Sequence, residues 1–537
     1  MKKKKVLIIV ISIVLILSVI GISYAVWTLN LTQTSENNIA STCFNISFTE
    51  KDNISLQKSY PLYDKDGKKL TPYEFTITNN CDSSASYAVN LEVLNTSTLT
   101  NNDAIKVMLS KKEDNVENEL KLGLLSNYET VTKTLNNAKS SFNLTTGYLG
   151  AKESKTYDLR LWLDENVTTE TLNIQNTTFN SKVIVTAKYE TEIPYATSVV
   201  SNLAAKADTS STDVYTVPDK TSDTCTYTLA YDGTADNNLR YVGANPCNYV
   251  KIDNEFWRII GVMNNIDDGT GKKETRLKLI RNESIGKYSW DTSDLSVNRG
   301  KGVNEWSQAD LMKLLNPGYE SESGSLYYNN GSGYYNGSSS CDFTSIGLKI
   351  NLKNLIGNTL WNTGATGTYD DTSSSDSLAT YYYSYERSDN TGKICTSGDY
   401  CNDTVVRTTT WKGKIGLMYP SDYGYATSGD SSMNRISCLN KSLNREWYEA
   451  SSCYNNDWLY NSSIDQWTLT PFASDFSDSS TGDSAAANVE VVMTIGVVGT
   501  ANARFDNEVL PSVYLKSSVA IVNGNGSKES PYELLGD

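Results

Sequence analysis

Tyr73-Glu74-Phe75-Thr76-Ile77-Thr78-Asn79 decides how the first part of this chain is read. Apolar and polar side chains alternate, and the run stops at the turn Asn79-Asn80-Cys81-Asp82. A period of two is the spacing of a strand with one face against a core. The same spacing recurs at Tyr87, Val89, Leu91 and Val93, and at Ile105, Val107 and Leu109. It returns at Tyr157, Leu159, Leu161 and Leu163, then at Val183, Val185, Ala187 and Tyr189. One-faced strands separated by Asn, Ser, Thr and Gly turns predict an antiparallel β-sandwich over residues 28–196. Within it, Lys65-Asp66-Gly67-Lys68 reads as a hairpin tip. Asp64-x-Asp66-Gly67 lacks the later ligands of a calcium loop and reads as a turn.

C-terminal to that region the composition shifts. Ser, Thr, Asp and Ala dominate residues 197–222, with Pro218 near the end, and this stretch reads as a linker. Residues 223–537 predict an α+β domain. Tyr249-Val250-Lys251-Ile252 and Phe256-Trp257-Arg258-Ile259-Ile260 flank Asp253-Asn254-Glu255 as a hairpin, and Leu277-Lys278-Leu279-Ile280 is the next strand. One helix starts at Ser307, carries Leu311, Leu314 and Leu315 on one face, and ends at Pro317-Gly318. A second is expected from Asn351 to Trp361, on the spacing of Leu352, Leu355, Ile356 and Leu360. Long loops follow, among them Thr372 to Arg387 around Tyr381-Tyr382-Tyr383, and strands over 489–498 and 509–522 close the domain.

The chain opens with Lys2 to Lys5, an apolar run from Val6 to Ile22, and Ser23-Tyr24-Ala25. That order is a secretory signal, and the run is also near the length of a membrane span. Residues 1–27 are therefore expected to be a signal peptide or a retained N-terminal anchor, and the protein to be secreted or displayed at the cell surface. The formal charge of -15 argues against nucleic acid as a partner. The sequence contains no histidine, which removes Ser-His-Asp and Cys-His catalysis and histidine zinc sites. No cofactor and no metal site is expected, and any enzyme would have to use carboxylates, Lys, Tyr or Cys.

Nine cysteines, at 43, 81, 225, 247, 341, 395, 401, 438 and 453, are expected to form disulfides outside the cytoplasm. Pairing nearest neighbours gives Cys43–Cys81, Cys225–Cys247, Cys395–Cys401 and Cys438–Cys453 and leaves Cys341 over, although spacing alone does not fix the connectivity. No Cys-x-x-Cys occurs, which argues against a zinc ribbon or a thioredoxin-like site.

The second half resembles a module of unknown function found in surface proteins of Gram-positive gut bacteria. The residues that carry the resemblance are Asn237 to Gly243, Phe256 to Val262, Tyr288 to Asp291, Trp306 to Met312, Tyr419 to Gly424, Asn456 to Leu459, Trp467 to Pro471 and Pro511 to Leu515. That resemblance implies a layout similar to the C-type-lectin fold, as used by formylglycine-generating enzymes and by hypervariable receptor proteins. The chain departs from the pattern at Leu510, where an arginine usually precedes the Pro, and no cysteine follows Cys453, so the oxidase chemistry is not implied. The sugar-binding Glu-Pro-Asn and Gln-Pro-Asp triplets do not occur. The first part resembles small secreted β-sandwich proteins of the matrix-fibre and camelysin type, on Ser23 to Trp27 and Tyr73 to Asn79.

These readings lead to a non-enzymatic, adhesin-like binding protein whose loops meet a host or neighbouring-cell glycan or protein. Tyr381, Tyr382, Tyr383, Trp411, Tyr423, Tyr425 and Trp458 are the candidate contacts. The alternatives are a self-associating subunit of an extracellular fibre or matrix, and a carboxylate-based extracellular enzyme. Contact with a membrane is expected only through the N-terminal segment.

Overall fold

Strands Tyr249–Ile252 and Glu255–Asp267 form the expected hairpin, with Val250 opposite Trp257 and Lys251 opposite Phe256. A computed structural model describes residues 29–31, 60–99, 101–113, 116–167, 177–190, 192–252, 255–293, 302–316, 350–366, 377–391, 406–472 and 488–536. These residues are mainly β, in several largely antiparallel sheets. They divide into two compact units between Ile193 and Pro194.

The first unit contains two sheets. One runs in the order Tyr73–Thr78, Ser154–Leu163, Ile105–Glu113, Val116–Leu124. The other runs Leu29–Leu31, Phe179–Glu190, Ser84–Leu94, Ala138–Leu149, Thr130–Val131. The alternating residues of the sequence face one core, with Phe75, Ile77, Val107, Leu109, Leu159 and Leu161 from the first sheet and Val89, Leu91, Phe142, Leu144, Val183 and Val185 from the second. Residues 64–67 correct one expectation. Asp64–Gly67 is a helical turn rather than a hairpin tip. It lies so close to Trp162 that a Cβ on Gly67 would come within 2.3 Å of the indole.

The second unit is organised around a ten-stranded sheet. Its main path runs Tyr215–Thr216, Thr228–Tyr231, Leu239–Tyr241, Glu255–Asp267, Tyr249–Ile252, Tyr532–Leu535, Ala520–Asn523. Strand Tyr532–Leu535 joins the opening hairpin in parallel, Tyr532 beside Val250. Trp257, Trp290, Trp306, Trp361, Trp447 and Trp467 are each at most 1% exposed and fill the core. Rings of that size dominate the apolar area a core removes from water.

Three expectations are corrected here. The stretch read as a linker, 197–222, belongs to the second unit. Helix Ala196–Leu203 buries Ala196 and Val200, and Ala204 follows at the same spacing into the same core. Ala196 N–H donates to Val519 O at 2.8 Å, and Tyr215–Thr216 pairs with Thr228–Tyr231. A polar composition masked an i, i+4 apolar stripe. The expected helix to Trp361 stops at Leu355, and Thr359–Asn362 is a strand paired with Thr410–Gly413. Residues 379–386, read as loop, are helix Ala379–Glu386.

The disulfides Cys225–Cys247 and Cys438–Cys453 are formed. Cys81 is disulfide-bonded; Cys43, Cys341, Cys395 and Cys401 lie outside the described residues, as does the segment 1–27. Among the described residues no helix is long and apolar enough to cross a membrane.

Candidate functional site

The aromatic residues expected to meet a ligand are mostly core. Tyr382, Tyr383, Trp411, Tyr423, Tyr425 and Trp458 are all buried, and Tyr381 is half-buried with its ring 4.2 Å from that of Tyr385. Each has an internal task. Tyr423 donates to Gly496 O at 2.7 Å and accepts from Trp447 Nε1 at 3.0 Å. Trp411 packs edge-on against Trp306. Trp458 Nε1 donates to Tyr241 O at 2.9 Å, and its ring carries the Arg258 guanidinium at 4.5 Å. The Tyr383 hydroxyl meets Asp236, and its ring stacks edge-on with Tyr425. Two pairs of candidates come together, Tyr383 with Tyr425 beneath the surface and Tyr381 edge-on with its neighbour Tyr382 at 5.9 Å.

Beside Tyr383 and Tyr425 lies a buried set of charges. Asp422 accepts from Arg240 Nη1 and Lys278 Nζ at 2.5 Å each, and Arg240 Nε donates to Asp232 at 3.1 Å. Pro420 opens helix Pro420–Tyr425, and the Asp422 carboxylate accepts from Tyr419 N–H at 2.9 Å, which fixes its direction. Burial alone would raise that carboxyl, but Lys278 and Arg240 hold it down at about 2. Burial lowers Lys278 to about 8 against the pull of Asp422. Two further carboxyls go the other way. Burial pushes Glu386 up to about 7, although Arg387 and Ser421 oppose it, and Glu490 up to about 8, opposed by a hydrogen bond from Thr366. These groups are sealed in the core, and they fix helices to strands.

A surface cleft of a size to receive a ligand lies elsewhere in the same unit. It has a volume of about 780 Å³ and is lined by Asp213, Ser222, Asp223, Thr224, Thr226, Asn245, Ser428, Asp430, Asn434 and Asn456 among others. Its walls are fixed from the sequence upward. Cys225–Cys247 ties the wall at 222–228 to the turn at 243–247, and Asn245 Nδ2 donates to Thr224 O at 2.7 Å. Cys438–Cys453 ties helix Arg435–Leu439 to Ser451–Tyr454. Asn434 Oδ1 caps the first of these by accepting from Ser437 N–H at 2.9 Å. Gly429 turns the floor with φ +60°, and a Cβ there would sit 2.2 Å from Met433 O.

Arg435 forms the back of the cleft and is spent on the fold. It donates to Thr212 O at 2.5 Å, Tyr425 O at 2.9 Å and Thr427 O at 3.0 Å, with a longer contact to Tyr231 O. Burial lowers its guanidinium to about 10. Backbone N–H groups of Met433 and Ser432 hold the exposed Asp430 carboxyl below its ordinary range. Chemically the cleft offers hydroxyl, amide and carboxylate groups at fixed positions. The buried carboxyls of this unit with raised values, Glu386, Glu490, Asp291 and Asp457, are not among its lining residues.

None of the seven aromatic candidates lines the cleft. Asp213, Val214 and Ser222 lie in the stretch read as linker, so composition hid them. The signal that could have found the site was the Cys225–Cys247 spacing, because it marks a loop pinned at both ends. Among the described residues no group of three or more His, Cys, Asp or Glu side chains could hold a metal ion. In comparisons with known proteins, no family model, no curated protein and no solved structure matches the chain.

Proposed function

We propose that this is a secreted or cell-surface binding protein that acts without catalysis. In this reading the first unit is a β-sandwich serving as spacer or assembly module. The second is a C-type-lectin-like scaffold, and the cleft at Thr224, Asn245 and Asn456 is its recognition site. The observation that carries the proposal is the cleft itself, open to solvent, furnished with hydroxyl, amide and carboxylate side chains, and braced by two disulfides. A ligand site needs groups held in place before the ligand arrives, because ordering them on binding subtracts from affinity. Formed disulfides favour an oxidising compartment.

The test is binding of the full-length oxidised protein to arrays of glycans and matrix proteins, beside an Ala244→Trp variant. Ala244 is an exposed lining residue, so the indole would fill the cleft without entering the core. A saturable ligand lost in Ala244→Trp at unchanged melting temperature is expected. No ligand, or equal binding by the filled variant, overturns the proposal.

A further inference from the structure

The cleft's lining also restricts what it can hold. Its charged side chains are Asp213, Asp223, Asp430 and Arg435. The one cation is unavailable, because Arg435 is buried and its nitrogens already point at four backbone carbonyls. The anions are exposed. Among the described residues no side-chain hydrogen bond or ion pair engages Asp213 or Asp223, whereas Asp430 Oδ1 accepts from Ser432 and Met433 N–H at 2.8 and 3.0 Å. Glu529 adds a fourth carboxylate at the rim, accepting from the lining Thr224 hydroxyl at 2.9 Å.

An anionic ligand entering this cleft would meet carboxylates and no cation to pair with them. A protein anchor would want an aromatic or aliphatic pocket, and the lining holds no aromatic side chain and only Val214 and Ala244 as aliphatic ones. The inventory that remains suits a molecule carrying many hydroxyls. Sugar hydroxyls can donate to the two carboxylates and exchange hydrogen bonds with Ser222, Thr226 and Ser428.

Resting on the cleft as the recognition site, we infer that it takes uncharged or amine-bearing saccharides and rejects acidic ones. An amine on the sugar would sit against Asp213 or Asp223 and add a salt-sensitive attraction.

Calorimetry of the full-length oxidised protein decides this with three probes: a glucosamine tetramer, its fully N-acetylated form, and a sialylated trisaccharide. The glucosamine tetramer should bind tightest, and weaken about tenfold between about 50 and about 500 mM salt. The N-acetylated form should show little salt dependence, and the sialylated probe should bind at least about tenfold more weakly. Asp213→Asn with Asp223→Asn should remove the preference for the amine, so that the glucosamine tetramer binds no tighter than its N-acetylated form and loses its salt dependence. Both carboxylates are exposed, and the melting temperature of the double variant checks that the attraction of Asp213 for buried Arg435 is not needed for folding. Equal or tighter binding of the sialylated probe, or an unchanged preference in the double variant, overturns the charge inference. If Ala244→Trp still abolishes that binding, the cleft survives as the site. Failure of all three probes at millimolar concentration overturns the saccharide class.

Discussion

Replacing Glu490 by Gln should change how the second unit's stability depends on pH. Glu490 is 2% exposed, sits in strand Asn488–Val492, and accepts from the Thr366 hydroxyl at 2.6 Å. Its carboxyl is pushed from 4.5 in the open chain to about 8 in the fold. The folded state therefore binds this proton more tightly than the unfolded state. Its stabilising contribution is complete below 4.5 and is lost as pH rises through 8. At 1.36 kcal/mol per pH unit, the loss between pH 5 and pH 8 is roughly 3 kcal/mol. Glu386, raised to about 7, adds a loss of roughly 2 kcal/mol over the same window. Glutamine keeps the oxygen that Thr366 needs and cannot ionise. Urea unfolding followed by tryptophan fluorescence is the assay, because eight of the ten tryptophans, from Trp257 to Trp467, lie in the second unit. The wild type should be most stable near pH 5 and weaken toward pH 8. Glu490→Gln should remove the larger share of the decline that these two carboxyls supply, and the double variant with Glu386→Gln should keep only the smaller decline left by buried Asp457 and Asp291, both also raised by burial. A wild type with no decline, or a Glu490→Gln variant that keeps the full decline, would refute the reasoning.

Other expectations follow from the same contacts. Arg435→Ala leaves at least three buried carbonyls without a donor and should cost about 3 kcal/mol or more in denaturant unfolding; a loss under about 1 kcal/mol would mean that water replaces the guanidinium there. Removing Cys225–Cys247 by serine substitution frees a loop of 22 residues and should lower stability by about 3 kcal/mol, with the cleft's ligand affinity falling as well. Tyr423→Ala should destabilise by about 3–5 kcal/mol because it empties core volume and strands the Trp447 indole N–H; a variant that folds normally but loses only ligand binding would return this residue to the recognition surface.

The strands of the first unit were legible because a period of two is a local signal. Phe75, Ile77, Val107 and Leu161 each declared their face within a few residues. The core of the second unit was legible as residues but not as roles. Arg240, Trp257, Trp306, Asp422 and Trp458 stood out in the sequence, yet their prominence reflects buried hydrogen bonds and ring packing rather than ligand contact. Sequence alone cannot separate an aromatic that waits for a ligand from one that supports Arg258. The cleft was not legible for a different reason. It is assembled from residues near 213, 224, 245, 430 and 456, and only the cysteine spacing linked any two of those segments beforehand. Helix Ala196–Leu203 was hidden because Ala and Ser weaken the hydrophobic contrast on which periodicity depends.

The parallel pairing of Tyr532–Leu535 with Tyr249–Ile252 sets an order of events for this chain as it is made. Residues 194 to 196 meet 519 to 521 in the same region, so both ends of the second unit close against each other. The opening hairpin must therefore wait, with one edge unpaired, until nearly three hundred further residues have emerged. Such a unit cannot acquire its structure progressively from its N-terminal side. It should fold late, and slowly for its size, since closing long loops precedes most of the reward. During that interval the exposed edge needs protection, and a cell producing this protein would have to supply it until the last strand arrives.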